Sequence, residues 1–391
     1  MKEHRPELAD VFRTHQQDFL ARWNPVLPRA QRRALRDLRD CRTAALGGHL
    51  HECDQCGHRV ILYNSCRNRH CPKCQGKARA KWLAQRQEEL LPVPYFHVVF
   101  TLPQELAHLA LQNPKPIYTI LFRAASETLL TIAADPRHLG ASIGFLAVLH
   151  TWGQNLHLHP HLHCVVPGGG VSPDGSRWIA CRKSFFLPVR VLSCLFRKKF
   201  LKSLRTAFRK GALHLSGELH HLSAPAAFQA LCEKAARNQW VVYAKPPFGG
   251  PERVLKYLAR YTHRVAISNR RLRSLENGRV SFDWKDYAHR GRTKLMTLDA
   301  VEFIRRFLLH VLPSGLVRIR QFGFLANRGR KSKLELCRAL LAAAPLSPAS
   351  NSDGRPDAKI EDPHRCPLCQ LGRLIIIELL AAQPTAIQDT S

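Results

Sequence analysis

Residues 156–170 read LHLHPHLHCVVPGGG, with His157, His159, His161 and His163 at every second position. A period of two belongs to a β-strand, where residues i and i+2 share a face; on a helix the same four would spread around the axis. Four imidazoles therefore line one side of a strand that runs out into Pro167 and Gly168-Gly169-Gly170. Each two-residue step advances about 6.6 Å, so the row spans too far for all four to reach a single ion. Imidazole suits zinc, manganese and related divalent ions, and two histidines leave positions open for substrate. The competing reading is a row of surface or nucleic-acid contacts, and the stretch taken alone leaves both standing.

The flanking segments set this strand in an α+β fold, a central antiparallel sheet with helices on it. YFHVVFT (95–101), IGFLAVLHTWG (143–153), HPHLHCVV (159–166) and QWVVYAKP (239–246) read as strands. Residues 116–135, 188–210 and 252–264 read as helices. Asn277-Gly278 between two strand-like runs is a hairpin turn. Three regions follow from composition. Residues 1–90 are basic and hold six cysteines, expected as a small zinc-binding domain of helices and knuckles; 91–325 mix strands and helices and hold the histidines, the expected catalytic domain; 326–391 are a basic tail whose stretch APLSPASNSDGRPDAKIEDP has linker composition.

Charge and cysteine content narrow the function. Sixty Lys and Arg against 29 Asp and Glu give a net charge of +31, distributed along the chain rather than gathered in a tail, which points to a nucleic-acid track. The N-terminus has no signal-peptide core and no apolar run reaches membrane-spanning length, so a cytoplasmic protein without a membrane partner is expected. In that compartment the 13 cysteines stay reduced, and paired spacings mean metal. Cys53-Asp-Gln-Cys56 and Cys71-Pro-Lys-Cys74, with 14 residues between them, predict one structural Zn²⁺ site of four thiolates. Cys41, Cys66 and His70 are left to help bind a second zinc or simply to pack. Arg67 and Arg69, beside the second pair, are candidate DNA contacts. Cys366-Pro-Leu-Cys369 is half a site; with no second pair near it in sequence, the alternatives are completion by distant ligands or a remnant.

The segment YLARY carries Tyr257 and Tyr261 one helical turn apart, with Val254, Leu258, Tyr261 and Val265 as the apolar stripe. Lys256, Arg260 and Arg264 lie on flanking faces, suited to a phosphodiester. Here His161-Leu162-His163 resembles the His-hydrophobic-His signature of the HUH endonuclease superfamily, and YLARY resembles the paired-tyrosine motif of its two-tyrosine members. YNSCRNRHCPKCQ (63–75), HLHCVVPGGG and RIRQFGFLANRGR (318–330) are similar to the rolling-circle transposases of the insertion-sequence family numbered ninety-one. The resemblance covers residues 20 to 325 or so.

That resemblance implies nicking and rejoining of single-stranded DNA through a 5′-phosphotyrosine, with Tyr257 and Tyr261 as nucleophiles. It implies catalytic Mg²⁺ or Mn²⁺ on His161 and His163, with His159 and Gln154 the leading candidates for a third ligand. The implied partners are the single-stranded ends of its own mobile element and a host helicase, in a bacterial, nucleoid-associated setting. A replication initiator or relaxase of the same superfamily is the nearest alternative. A non-catalytic zinc-dependent DNA-binding regulator is another, but it leaves both the histidine pair and YLARY without a task.

Overall fold

A computed structural model describes residues 5–182, 186–245, 266–286, 289, 291–343 and 364–383. They form two compact units. The first draws on the chain stretches 1–77, 267–311 and 350–391, the second on 78–266 and 312–349. Residues 267–311, which the sequence places in the catalytic region, thus cluster with the N-terminal helices.

In the first unit, strand β1 (Gly48–Cys53) pairs antiparallel with β2 (Arg59–Tyr63). The second unit holds β3 (Tyr95–Thr101), β4 (Gly144–Trp152), β5 (Leu158–Pro167), β6 (Gly169–Val171), β7 (Trp178–Ala180) and β8 (Val242–Lys245). The chain then builds a meander of β9 (Leu272–Glu276), β10 (Arg279–Asp286) and β11 (Arg292–Asp299) in the first unit, β12 (Ile319–Gly323) in the second, and β13 (Leu374–Leu380) in the first.

The first unit is held by aromatic packing and by two small sheets. Phe12 of helix Leu8–Trp23 meets Phe307 of helix Ala300–Leu308 edge-on at 5.5 Å, both fully buried. The Gln31 amide donates to the Leu308 carbonyl at 2.9 Å, and the Leu8 amide to Asn269 Oδ1 at 3.2 Å. These contacts explain why residues so late in sequence join the N-terminal module. The β9–β10 turn places Asn277 and Gly278 at φ +49° and +69°, the left-handed pair that a two-residue hairpin needs. Strand β13 pairs antiparallel with β1, giving the order β13–β1–β2. Residues 364–383 of the stretch expected as a tail therefore complete the N-terminal sheet.

The second unit centres on a five-stranded antiparallel sheet in the order β12–β4–β5–β3–β8. Residues of one face, among them Phe96, Val98, Phe100, Ala147, Leu149, Leu162 and Cys164, pack on helices Pro114–Ala134 and Val189–Arg209. Part of the opposite face, Leu146, Val148 and Val165, packs with Leu334 and Cys337 of helix Arg330–Ala342. The rest of that face carries the histidines. Helix Pro114–Ala134 is long and apolar enough by composition to cross a membrane, which the sequence reading did not anticipate. Its Leu121, Phe122, Ala125 and Leu129 are buried in the sheet-helix core, as in the core helix of a globular unit. The glycines after β5 serve close packing: a Cβ on Gly170 would lie 2.5 Å from the Ser142 carbonyl oxygen.

Candidate metal centres and the family they mark

The β4–β5 hairpin turns around residues 153–157, and its register sets His150 directly opposite His161 and Val148 opposite His163. Residues opposite each other in an antiparallel pair share a face. His150, His161 and His163 therefore converge on the two central strands of the sheet, with their ligand-capable nitrogens within 4.8 Å of one another. All three are buried.

Their orientation is fixed from outside the group. His161 Nδ1–H donates to the His159 carbonyl at 2.6 Å, which defines its tautomer and turns Nε2 inward. His163 Nδ1 meets His97 Nε2 of β3 at 2.7 Å, the two rings nearly parallel at 9°. The two inward atoms, His161 Nε2 and His163 Nε2, stand 3.0 Å apart. Ligand atoms about 2.1 Å from one ion at 90–110° stand about 3.0–3.4 Å apart, so the spacing fits a shared divalent ion. A shared cation there would need both Nε2 atoms deprotonated, which puts the His163 proton on Nδ1, facing His97. His150 closes the group with its ring 4.3 Å from that of His163 and stacked on Trp152 at 4.6 Å.

Burial also sets the charge state. It pushes His161 down to about 3, His97 down to about 4, and His163 well below the ordinary imidazole value. The imidazoles are thus neutral near pH 7, the form that binds metal.

In the first unit the thiols gather into two groups of four. Cys41, Cys66, Cys71 and Cys74 form one; Cys53, Cys56, Cys366 and Cys369 form the other. The expected set of Cys53, Cys56, Cys71 and Cys74 is not the one that assembles. Each Cys-x-x-Cys pair stays together, but β1 and β2 carry the two N-terminal pairs into different groups. In the first group Sγ separations are 3.3 Å (Cys41–Cys74), 3.5 Å (Cys66–Cys74) and 3.6 Å (Cys41–Cys71). A tetrahedral ion with Zn–S of about 2.3 Å has edges of about 3.8 Å, so the four thiols fit zinc. Hydrogen bonds from the Cys66 and Cys71 thiols draw the Cys41 thiol down to about 7. His70 stands outside this group, with Nδ1 2.8 Å from Asn68 Oδ1. Beside it Arg67 is exposed and Arg69 is half-buried.

Comparison with known proteins places these features. A family model described as "Transposase zinc-binding domain" matches residues 11–102, and one described as "Putative transposase" matches residues 144–333. The chain is 55% identical over 394 residues, 99% of each chain, to "Putative transposase y4qJ" of Sinorhizobium fredii. It is 29% identical over 338 residues, 84% of this chain and 79% of the relative, to the "Transposase for insertion sequence element IS801" of Pseudomonas savastanoi pv. phaseolicola. The chain belongs to the IS91 family of transposases. No solved structure matches it.

For a transposase of this family DNA is the substrate and structural Zn²⁺ belongs to the N-terminal module. The Cys41 group lies inside the zinc-binding match, and His150, His161 and His163 lie inside the transposase match. Tyr257 and Tyr261, with Lys256, Arg260 and Arg264, fall within that second match but outside the described residues.

Of the third-ligand candidates, His159 is exposed and outside the three-histidine group, giving its carbonyl to His161 instead. His157 is exposed as well, and Gln154 lies in the turn after β4. Sequence reasoning missed His150, although a signal existed. Folding the chain about residues 155 and 156 as a hairpin puts 150 against 161. His97 left no comparable signal, because its strand reaches β5 only through the sheet.

Proposed function

We propose that this transposase nicks and rejoins single-stranded DNA at the ends of its insertion sequence through a 5′-phosphotyrosine intermediate, in rolling-circle transposition. The observation that carries the reading is the group His150, His161 and His163, buried on central strands of an antiparallel sheet and lying in the same matched span as Tyr257 and Tyr261. That arrangement supports an HUH-type endonuclease fold.

In this mechanism a tyrosine hydroxyl, weakly nucleophilic at its ordinary pKa of about 10, attacks a backbone phosphorus. A tyrosine O–P bond forms and the bond to the 3′ oxygen breaks. The phenolic proton is balanced by the proton gained at the released 3′-hydroxyl. The covalent link keeps the bond energy, so rejoining needs no nucleotide hydrolysis. Tyr257 and Tyr261 allow two successive cleavages while one strand stays attached. Lys256, Arg260 and Arg264 hold the phosphate backbone near the tyrosines. Arg67 and Arg69, on the zinc module, bind DNA at the element end. His150, His161 and His163 would hold Mg²⁺ or Mn²⁺, which would supply Lewis-acid stabilisation of the charge that builds on the phosphate. A host helicase supplies the displaced strand.

The test is adduct formation between full-length protein and a single-stranded oligonucleotide from its own element's end, with Mn²⁺ present. A denaturation-resistant adduct is expected. It should vanish in the double variant Tyr257→Phe/Tyr261→Phe and fall sharply in His150→Ala, while His157→Ala behaves as wild type. An adduct that survives the double tyrosine change refutes the nucleophile assignment; one indifferent to His150→Ala refutes the three-histidine site.

A further inference from the structure

We propose that Cys53, Cys56, Cys366 and Cys369 hold a second structural zinc ion, which ties the C-terminal strand β13 to the N-terminal hairpin. The four residues come from opposite ends of the chain, and Cys366 and Cys369 lie outside both matched spans. Their sulfurs are already at metal-site spacing: Cys53–Cys369 and Cys56–Cys366 are each 3.7 Å apart, against a tetrahedral Zn–thiolate edge of about 3.8 Å.

The two pairs sit in matching turns. In one, the Gly57 amide donates to the Cys53 carbonyl at 3.0 Å with Gly57 at φ +67°. In the other, the Gln370 amide donates to the Cys366 carbonyl at 3.1 Å with Gln370 at φ +56°. In each turn a backbone N–H also points at sulfur: Gln55 to Cys53 and Gly372 to Cys369, both 3.4 Å. Amide donors aimed at sulfur favour the thiolate, the form a metal needs. The turns are cross-linked by the Asp54 amide to the Arg373 carbonyl at 3.1 Å and by the Arg373 amide to Asp54 Oδ1 at 2.8 Å. Gly372 is required by this approach, since a Cβ there would lie 2.5 Å from Cys53 Sγ.

Among the described residues the sheet has a small apolar core. Its buried apolar cluster is Cys53, Cys366 and Leu374, with Val60 and Cys369 alongside, while Ile61, Leu62, Ile375, Ile376 and Leu379 are exposed. A sheet with so small a core needs a staple, and a tetrathiolate zinc supplies one. This site is then complete only once residues 366–369 have been made.

The test uses full-length protein, with zinc per chain measured by elemental analysis and thiol-bound zinc by mercurial release. Cys366→Ser/Cys369→Ser should lose one equivalent relative to wild type, and Cys41→Ser/Cys74→Ser should lose a different one. In the first variant, hydrogen exchange over residues 374–380 should rise. Unchanged zinc content in Cys366→Ser/Cys369→Ser overturns the proposal, as does a Cys53–Cys369 or Cys56–Cys366 disulfide in protein purified under reducing conditions. Cobalt substitution of the wild type keeps the test independent of whether a serine variant folds. Thiolate-to-cobalt absorption should correspond to two four-thiolate sites, and absorption for only one refutes the second.

Discussion

Replacing His97 by alanine removes the group that orients His163, one of the three histidines proposed to hold the catalytic ion. His97 Nε2 sits 2.7 Å from His163 Nδ1; when His163 Nε2 faces an ion its proton is on Nδ1, and neutral His97 accepts it through Nε2. His163 is itself buried. With His97 gone, His163 can leave its Nδ1–H unsatisfied, at a cost of about 1–3 kcal/mol. It can instead turn its ring, which takes Nε2 off its position 3.0 Å from His161 Nε2. Loss of such an outer partner weakens metal binding by about 10–100-fold, which is about 1.4–2.7 kcal/mol and the same size as the unsatisfied donor. Mn²⁺ affinity of the full-length protein, read from the resonance of the free ion, should fall by that factor in His97→Ala. His97→Gln, whose side-chain oxygen can accept the same N–H, should recover part of it. Unchanged Mn²⁺ affinity in a His97→Ala protein whose melting shows it is folded would refute the reasoning.

The histidine cluster also predicts acid sensitivity of the metal-free second unit. His97, His161 and His163 stay neutral in the folded state far below the unfolded value near 6.5, so the unfolded chain binds more protons as pH falls. Stability is therefore full above pH 6.5 or so and declines toward pH 4, by about 1.4 kcal/mol per proton per pH unit, or about 4 for the three. Hydrogen exchange of β5 amides, corrected for intrinsic rate, should show this between pH 7 and 5, and a flat profile would count against it. Gly372→Ala forces a methyl against Cys53 Sγ and Asp54 Oδ1, each 2.5 Å from the built Cβ. Overpacking of this kind costs about 1–3 kcal/mol. The variant should release one zinc to a chelator faster than wild type while the Cys41 group keeps its own; equal release rates from both would contradict the close approach.

Local pattern carried much of this molecule. The alternating histidines define β5, YFHVVFT coincides with β3, Asn277-Gly278 makes the β9–β10 turn, and each Cys-x-x-Cys closes on its own turn. These depend on interactions between residues a few positions apart, and periodicity records such interactions directly. Which turns come together is a different matter. Cys53 and Cys56 meet Cys366 and Cys369 because β13 pairs with β1, and His163 meets His97 because β3 pairs with β5. Residues 267–311 join the N-terminal helices through Phe12 and Phe307. The sequence by itself determined the chemistry: thiols and imidazoles, in pairs, on strands and turns, in a basic chain. Only the tertiary structure decided the partners. Strand order and hairpin register are set by burying faces against one another across hundreds of residues, and no spacing along the chain encodes that choice.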